Sequence, residues 1–216
     1  MGIKWGIVGT GNIASAFAND FIAVENAELL GVASRSQESA DEFAKEHNID
    51  RAYEGYENLA KDEDIDVVYI ATPHSFHYEN SKLFLNNNTS VLCEKAFTVN
   101  KKQLDELVKL AKEKNLFLME AMWTYLLPTI NKVKSWIKDG IIGEVRMVKA
   151  DFGFTADYDP KSRLFNPDLA GGALLDLGVY PISLSNLVME GEIKDIVTYG
   201  HIGETKVDHS EVIMLR

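Results

Sequence analysis

The sequence predicts an α/β chain, with a parallel β-sheet covered by helices on both faces and then an α+β segment. Three observations carry this. Up to Glu120, short apolar runs alternate with longer stretches of helical periodicity, which is the rhythm of strand–helix–strand units. A glycine-containing turn, Gly9-Thr10-Gly11, closes the first apolar run. Near Met122 the rhythm changes, so the chain divides into residues 1–121 and 122–216.

In the first segment the strand candidates are Lys4 to Gly9, Glu28 to Ser34, Asp66 to Ala71, Ser90 to Glu94 and Leu116 to Glu120. Helices are expected at Asn12 to Val24, Ser36 to His47, Phe76 to Asn86 and Lys101 to Lys114. The last of these places Leu104, Leu107, Val108 and Leu110 or Ala111 at helical spacing, with charges opposite. In the second segment a helix runs from about Pro128 to Asp139-Gly140, where glycine can cap the turn. Gly143 to Gly153 reads as a long strand, and a polar loop follows from Asp157 to Asp168. Gly171-Gly172 opens a helix through Met189, and two strand-like runs end the sequence. The last of them, His209 to Arg216, stops while its pattern continues, so a truncated sequence is expected.

Composition narrows the function classes. An apolar fraction of 46% in 216 residues supports a sizeable core, and a single cysteine excludes an internal disulfide framework, as suits a cytoplasmic protein. No apolar run approaches the roughly twenty residues of a membrane helix, and the N-terminus lacks the features of a signal peptide. A formal charge of −11 argues against a nucleic-acid partner. No membrane partner is expected.

Gly9-Thr10-Gly11-Asn12-Ile13-Ala14 joins a strand to a helix. The first glycine permits the tight turn, the second lets backbone approach a pyrophosphate at the positive helix end, and Ala14 is small enough for close packing. This is a Rossmann-type dinucleotide site. The next strand ends in Ser34-Arg35-Ser36, where an NAD-specific site would favour a carboxylate for the ribose hydroxyls. A guanidinium between hydroxyls suits a 2′-phosphate, so NADP is expected, with NAD possible. Strand C-termini face the ligand crevice, which brings in Thr72, Pro73, His74 and His77 as cofactor neighbours. The two histidines lie one helical turn apart, but no carboxylate or cysteine completes a ligand set, and no metal is expected.

Glu94-Lys95, Glu120-Ala121-Met122-Trp123, Arg163-Leu164-Phe165 and the run from Ala170 to Pro181 (AGGALLDLGVYP), together with the turn motif and Thr72-Pro73, span the chain in order. On these motifs the sequence resembles the Gfo/Idh/MocA oxidoreductases, nearest to their dihydrodiol dehydrogenase branch. The resemblance implies a Rossmann domain followed by a substrate and dimerisation domain built on an open antiparallel sheet, here incomplete. It also implies hydride transfer between NADP(H) and a diol, polyol or sugar-like hydroxyl or carbonyl. Lys95 matches the lysine of the family's Glu-Lys-Pro motif. Ala96 replaces its proline, so the Lys95–Ala96 peptide is either trans or a cis bond held by its surroundings. The resemblance makes Tyr180 the acid/base, Lys95 its electrostatic partner and Asp176 a substrate hydroxyl contact. Asp176 and Tyr180 lie a helical turn apart and share one face. The resemblance also puts Glu94 and Trp123 beside the cofactor, and Trp123, Phe154 and Arg163 around the substrate. Cys93, inside a strand, reads as buried and inert. A homodimer through the second-domain sheet is expected. Two other readings remain open: a non-catalytic NADP(H)-binding regulator, and an enzyme holding NAD for non-redox sugar chemistry.

Overall fold

The structure is a computed structural model that describes residues 2–189 and 191–216. Backbone packing divides the chain into two compact units, Met1–Ala121 and Met122–Arg216.

The first unit runs β1 (Ile3–Val8), α1 (Asn12–Asp20), β2 (Ala27–Ser34), α2 (Gln37–His47), β3 (Arg51–Glu54), α3 (Tyr56–Leu59), β4 (Val67–Ile70), α4 (His74–Asn86), β5 (Ser90–Cys93), α5 (Lys101–Lys114) and β6 (Leu118–Glu120). All neighbouring strands pair in parallel, in the order β3-β2-β1-β4-β5-β6. The order reverses between β1 and β4, which opens a crevice beyond their C-terminal ends.

Alternation along the strands explains why helices cover both faces. Ile7, Val32 and Tyr69 point to a core shared with Ala14, Ala18, Phe43 and Ala44 of α1 and α2. Val8, Val68 and Ile70 point to the other core, with Leu59, Phe84, Leu85, Leu107 and Ala111 of α3, α4 and α5. Ser36 and Asn100 cap the N-termini of α2 and α5 with their side chains. Asn48 and Asn115 end the same helices in the left-handed conformation that asparagine tolerates.

The strand reading missed β3 and the short α3 after it. Both are four residues long, too short for periodicity to register. β3 is a charged edge strand whose Arg51 holds Asp62 and Asp64, each at under 3 Å. Smaller differences are a helix ending at Asp20 with a 3₁₀ turn over Phe21–Ala23, α4 starting at His74, and β6 starting at Leu118.

The second unit opens with a 3₁₀ turn, Trp123–Leu126, and α6 (Pro128–Lys138), whose proline occupies a first-turn position that has no N–H to satisfy. A π-helical turn, Leu174–Gly178, leads into α7 (Val179–Val188), and β7 (Ile196–Ile202) and β8 (Asp208–Leu215) form an antiparallel hairpin. Gly143 to Gly153 is not a strand. Apolar residues recur along it, but β7 and β8 pair with each other, and among the described residues no strand supplies a ladder to this segment.

Candidate active site

In the first unit the β1–α1 turn is shaped to receive a phosphate group. Gly9 has φ +102°, and a side chain there would meet the Ala71 carbonyl at 3.0 Å, so the turn requires glycine. Gly11 is the N-cap of α1 and offers no side chain to the first-turn amides. A Cβ at Gly11 would have nothing within 4 Å, so open space lies before those amides. The space before those amides suits the pyrophosphate of a dinucleotide. Thr10 and Ser34 approach to 3.3 Å between their hydroxyls. Arg35 is exposed at the end of β2, and its charge reaches Tyr56. Ser36 is engaged in capping, accepting from the Ser39 amide at 3.3 Å.

Beyond β4 and β5 the expected residues separate into two groups. Thr72 is buried and its hydroxyl accepts from Asn80 at 3.1 Å. Pro73 is the N-cap of α4, and His74 is its first residue. His77 was expected beside the cofactor, but it has no exposed surface, and its ring nitrogens lie 2.8 Å from the Ala96 carbonyl and 2.7 Å from the Thr72 carbonyl. It is a strut between two loops, with its ring turned away from the surface. A neutral imidazole has one N–H and serves one carbonyl, whereas the charged ring would serve both. Burial outweighs that gain and pushes the group down to about 4.

Glu94 is also buried. Its carboxylate accepts from the Tyr69 hydroxyl at 2.5 Å and from the Lys95 amide at 3.2 Å. Burial raises the Glu94 carboxyl, against the pull of Tyr69 and Lys95. Burial and then Glu94 raise the Tyr69 phenol. The Lys95–Ala96 peptide bond is cis. Glu120 accepts the Phe97 amide at 2.9 Å, and burial raises its carboxyl while Lys95 pulls it down. Cys93 is fully buried, with its thiol pushed up by burial.

In the second unit Tyr180 accepts a hydrogen bond from the Trp123 indole at 3.1 Å. The edge-on ring of Phe152 lies 5.2 Å from it. These three rings, with Tyr125, Ile130 and Leu184, line a cavity of about 330 Å³. Phe154, the aromatic residue expected there, is exposed and outside the lining, and Phe152, two residues earlier, takes that place. Arg163 does not line the cavity either. It pairs with Asp176, Nη1 to Oδ1 at 3.1 Å, and Asp176 is only 6% exposed. The carboxylate read as a substrate contact therefore already holds a guanidinium. The π turn ends at Gly178, between Asp176 and Tyr180, so the plain helical spacing expected of the pair is interrupted.

Sequence reasoning assigned no role to Tyr69, Glu120, Tyr125 or Phe152. Tyr69 carried a usable signal, a hydroxyl inside the apolar run Val67-Val68-Tyr69-Ile70. Among the described residues no group of three or more His, Cys, Asp or Glu side chains could hold a metal ion, and no helix is long and apolar enough to cross a membrane.

Two family models match in succession. Residues 3–122 match the oxidoreductase family with an NAD-binding Rossmann fold, and residues 130–216 match the GFO/IDH/MocA C-terminal domain. The chain belongs to the Gfo/Idh/MocA oxidoreductase family. It is 37% identical over 219 residues to a trans-1,2-dihydrobenzene-1,2-diol dehydrogenase of Xenopus tropicalis, covering 100% of this chain and 66% of that one. It is 43% identical over 203 residues to a D-xylose 1-dehydrogenase (NADP(+)) of Hypocrea jecorina, covering 84% of this chain and 51% of the relative. A solved 3-ketoreductase from Actinomadura kijaniata, in complex with NADP and TDP-benzene, superposes with a TM-score of 0.85 at 29% identity, over 100% of this chain and 66% of that one. The chain thus spans about two thirds or less of the length of these relatives.

Proposed function

We propose that this chain serves an NADP(H)-dependent dehydrogenase acting on the CH–OH group of a diol, polyol or sugar-like substrate. The observation that carries the reading is Tyr180, a phenol that accepts the Trp123 N–H at the wall of a largely apolar cavity. A phenol in its protonated form can deliver a proton to a carbonyl oxygen, and as the phenolate it can take one from an alcohol. The bound nicotinamide supplies or accepts the hydride. Gly11, Asn12 and Ile13 would hold its pyrophosphate, and Arg35 would hold the 2′-phosphate. Lys95 is proposed as a catalytic group of the first unit, and Asp176, neutralised by Arg163, as a contact for the substrate's hydroxyls. Support for NADP comes from Arg35 and from the relatives named for it or solved with it. The absence of a carboxylate at the end of β2 speaks against tightly held NAD and non-redox chemistry.

The test follows nicotinamide absorbance with NADP⁺ or NADPH against a panel of diols, aldoses and dicarbonyls, beside Tyr180→Phe. Turnover that falls at least a hundredfold in the variant, with NADPH affinity within threefold, is expected. Binding of NADPH with no turnover of any substrate would replace this reading with the non-catalytic regulator.

We also propose a homodimer. Val197, Tyr199, Val212 and Met214 share one exposed face of the β7–β8 hairpin, an apolar patch of the kind that subunits cover. Light scattering that finds a monomer at micromolar concentration would refute it. A cytoplasmic location fits a single, buried cysteine.

A further inference from the structure

We propose that Glu120 is a positioning residue for Lys95, fixing the turn that carries the lysine by holding the amide of Phe97. The inference rests on the reading of Lys95 as the group that acts on the substrate side.

The ladder of the sheet runs out just before this turn. The Glu94 amide still donates to the Ile70 carbonyl at 2.9 Å, and the Cys93 carbonyl accepts from Ala121 at 2.7 Å. Beyond these bonds, side chains hold the backbone from Lys95 to Phe97. Glu94 takes the Lys95 amide, His77 meets the Ala96 carbonyl, and Glu120 takes the Phe97 amide. Glu94 acts on its immediate neighbour and so fixes the start of the turn. Only a group anchored elsewhere can fix its far end, and Glu120 is such a group. It stands on β6, in register with Cys93 of β5. Its position is therefore set by the sheet and not by the turn itself.

A carboxylate suits this task better than a neutral acceptor for two reasons. A charged acceptor makes a shorter, stronger bond to an N–H. It also places a negative charge near the lysine, and the attraction is visible in the pull that Lys95 exerts on the Glu120 carboxyl. Half-burial keeps that interaction from being screened as a surface pair would be.

The experiment uses the full chain with NADPH bound and compares wild type, Glu120→Gln and Glu120→Ala by amide hydrogen exchange and by steady-state kinetics. The Phe97 amide is expected to be protected in wild type, to stay protected in the Gln variant, and to exchange at least tenfold faster in the Ala variant. With a substrate found by the panel above, the Ala variant is expected to lose tenfold or more in kcat, with NADPH affinity within threefold, and Gln to recover most of that loss. Equal Phe97 exchange in wild type and Ala variant overturns the proposal, as does kcat in the Ala variant within twofold of wild type. If the Ala variant does not fold, wild type alone decides, because an unprotected Phe97 amide also overturns it. Exchange results as expected, in a wild-type protein that turns over nothing, leave the clamp standing and remove the dehydrogenase reading instead.

Discussion

His77 gives a sharp test of how burial and hydrogen bonding compete. Its imidazole is fully buried, with two carbonyl oxygens at 2.7 and 2.8 Å. Burial favours the neutral ring and brings the group from its ordinary 6.5 down to about 4. The unfolded chain takes up this proton below about pH 6.5, and the folded chain takes it up only below about 4. Between those values the unfolded state holds more protons, so stability falls as pH drops, and the loss levels off once both states are protonated. The full gap corresponds to about 3 kcal/mol, of which about 2 kcal/mol is lost between pH 7 and pH 5. Urea denaturation at pH 7, 6 and 5 on wild type and His77→Gln reads the difference, and NMR titration of the ring reads the midpoint directly. The wild type is expected to lose about 2 kcal/mol more than the Gln variant over that range. Equal pH slopes in the two proteins, or a ring midpoint above 6, would mean that the two carbonyls hold the imidazole in its charged form and that burial has been overweighted.

Other expected outcomes follow from single contacts. Arg35→Ala should weaken NADPH tenfold or more, about 1.5 kcal/mol for a lost charge-assisted bond, and leave NADH within twofold; fluorescence titration with both cofactors measures it. Arg163→Ala leaves the buried Asp176 carboxylate without its cation and should cost about 1–2 kcal/mol in chemical denaturation. This is less than for a fully buried pair, because the Arg163 side chain is 54% exposed. Adding Asp176→Asn to that variant should restore part of the loss. Leu107→Ala, at a fully buried position on α5, should cost about 2–5 kcal/mol by the same assay.

The parallel sheet was legible because its signals are local. Strands buried on both faces read as continuous apolar runs, and the Gly9–Ala14 turn announces the crevice at one point in the chain. The roles of side chains beyond the strand ends were less legible, since they depend on contacts between residues distant in sequence. His77 read as a cofactor neighbour because a strand end places it near the crevice, yet its ring turns inward between Thr72 and Ala96. Phe154 and Phe152 are equally aromatic, and only the observed lining of the cavity tells them apart. Gly143 to Gly153 shows the limit of a local apolar pattern, which signals a capacity to pair and leaves the partner unspecified.

The two cores on opposite faces of the sheet bear on how this protein can change over evolution. Ile7 and Val8 are adjacent in sequence but serve different cores, as do Tyr69 and its neighbours Val68 and Ile70. Inserting or deleting one residue in β1 or β4 would send each side chain beyond it to the wrong core. Lineages of this fold should therefore keep those strands fixed in length and collect their insertions in surface segments such as Asp157 to Asp168, next to the chemistry. New substrates can then arise through changes in loop length while the sheet that positions the cofactor stays as it is.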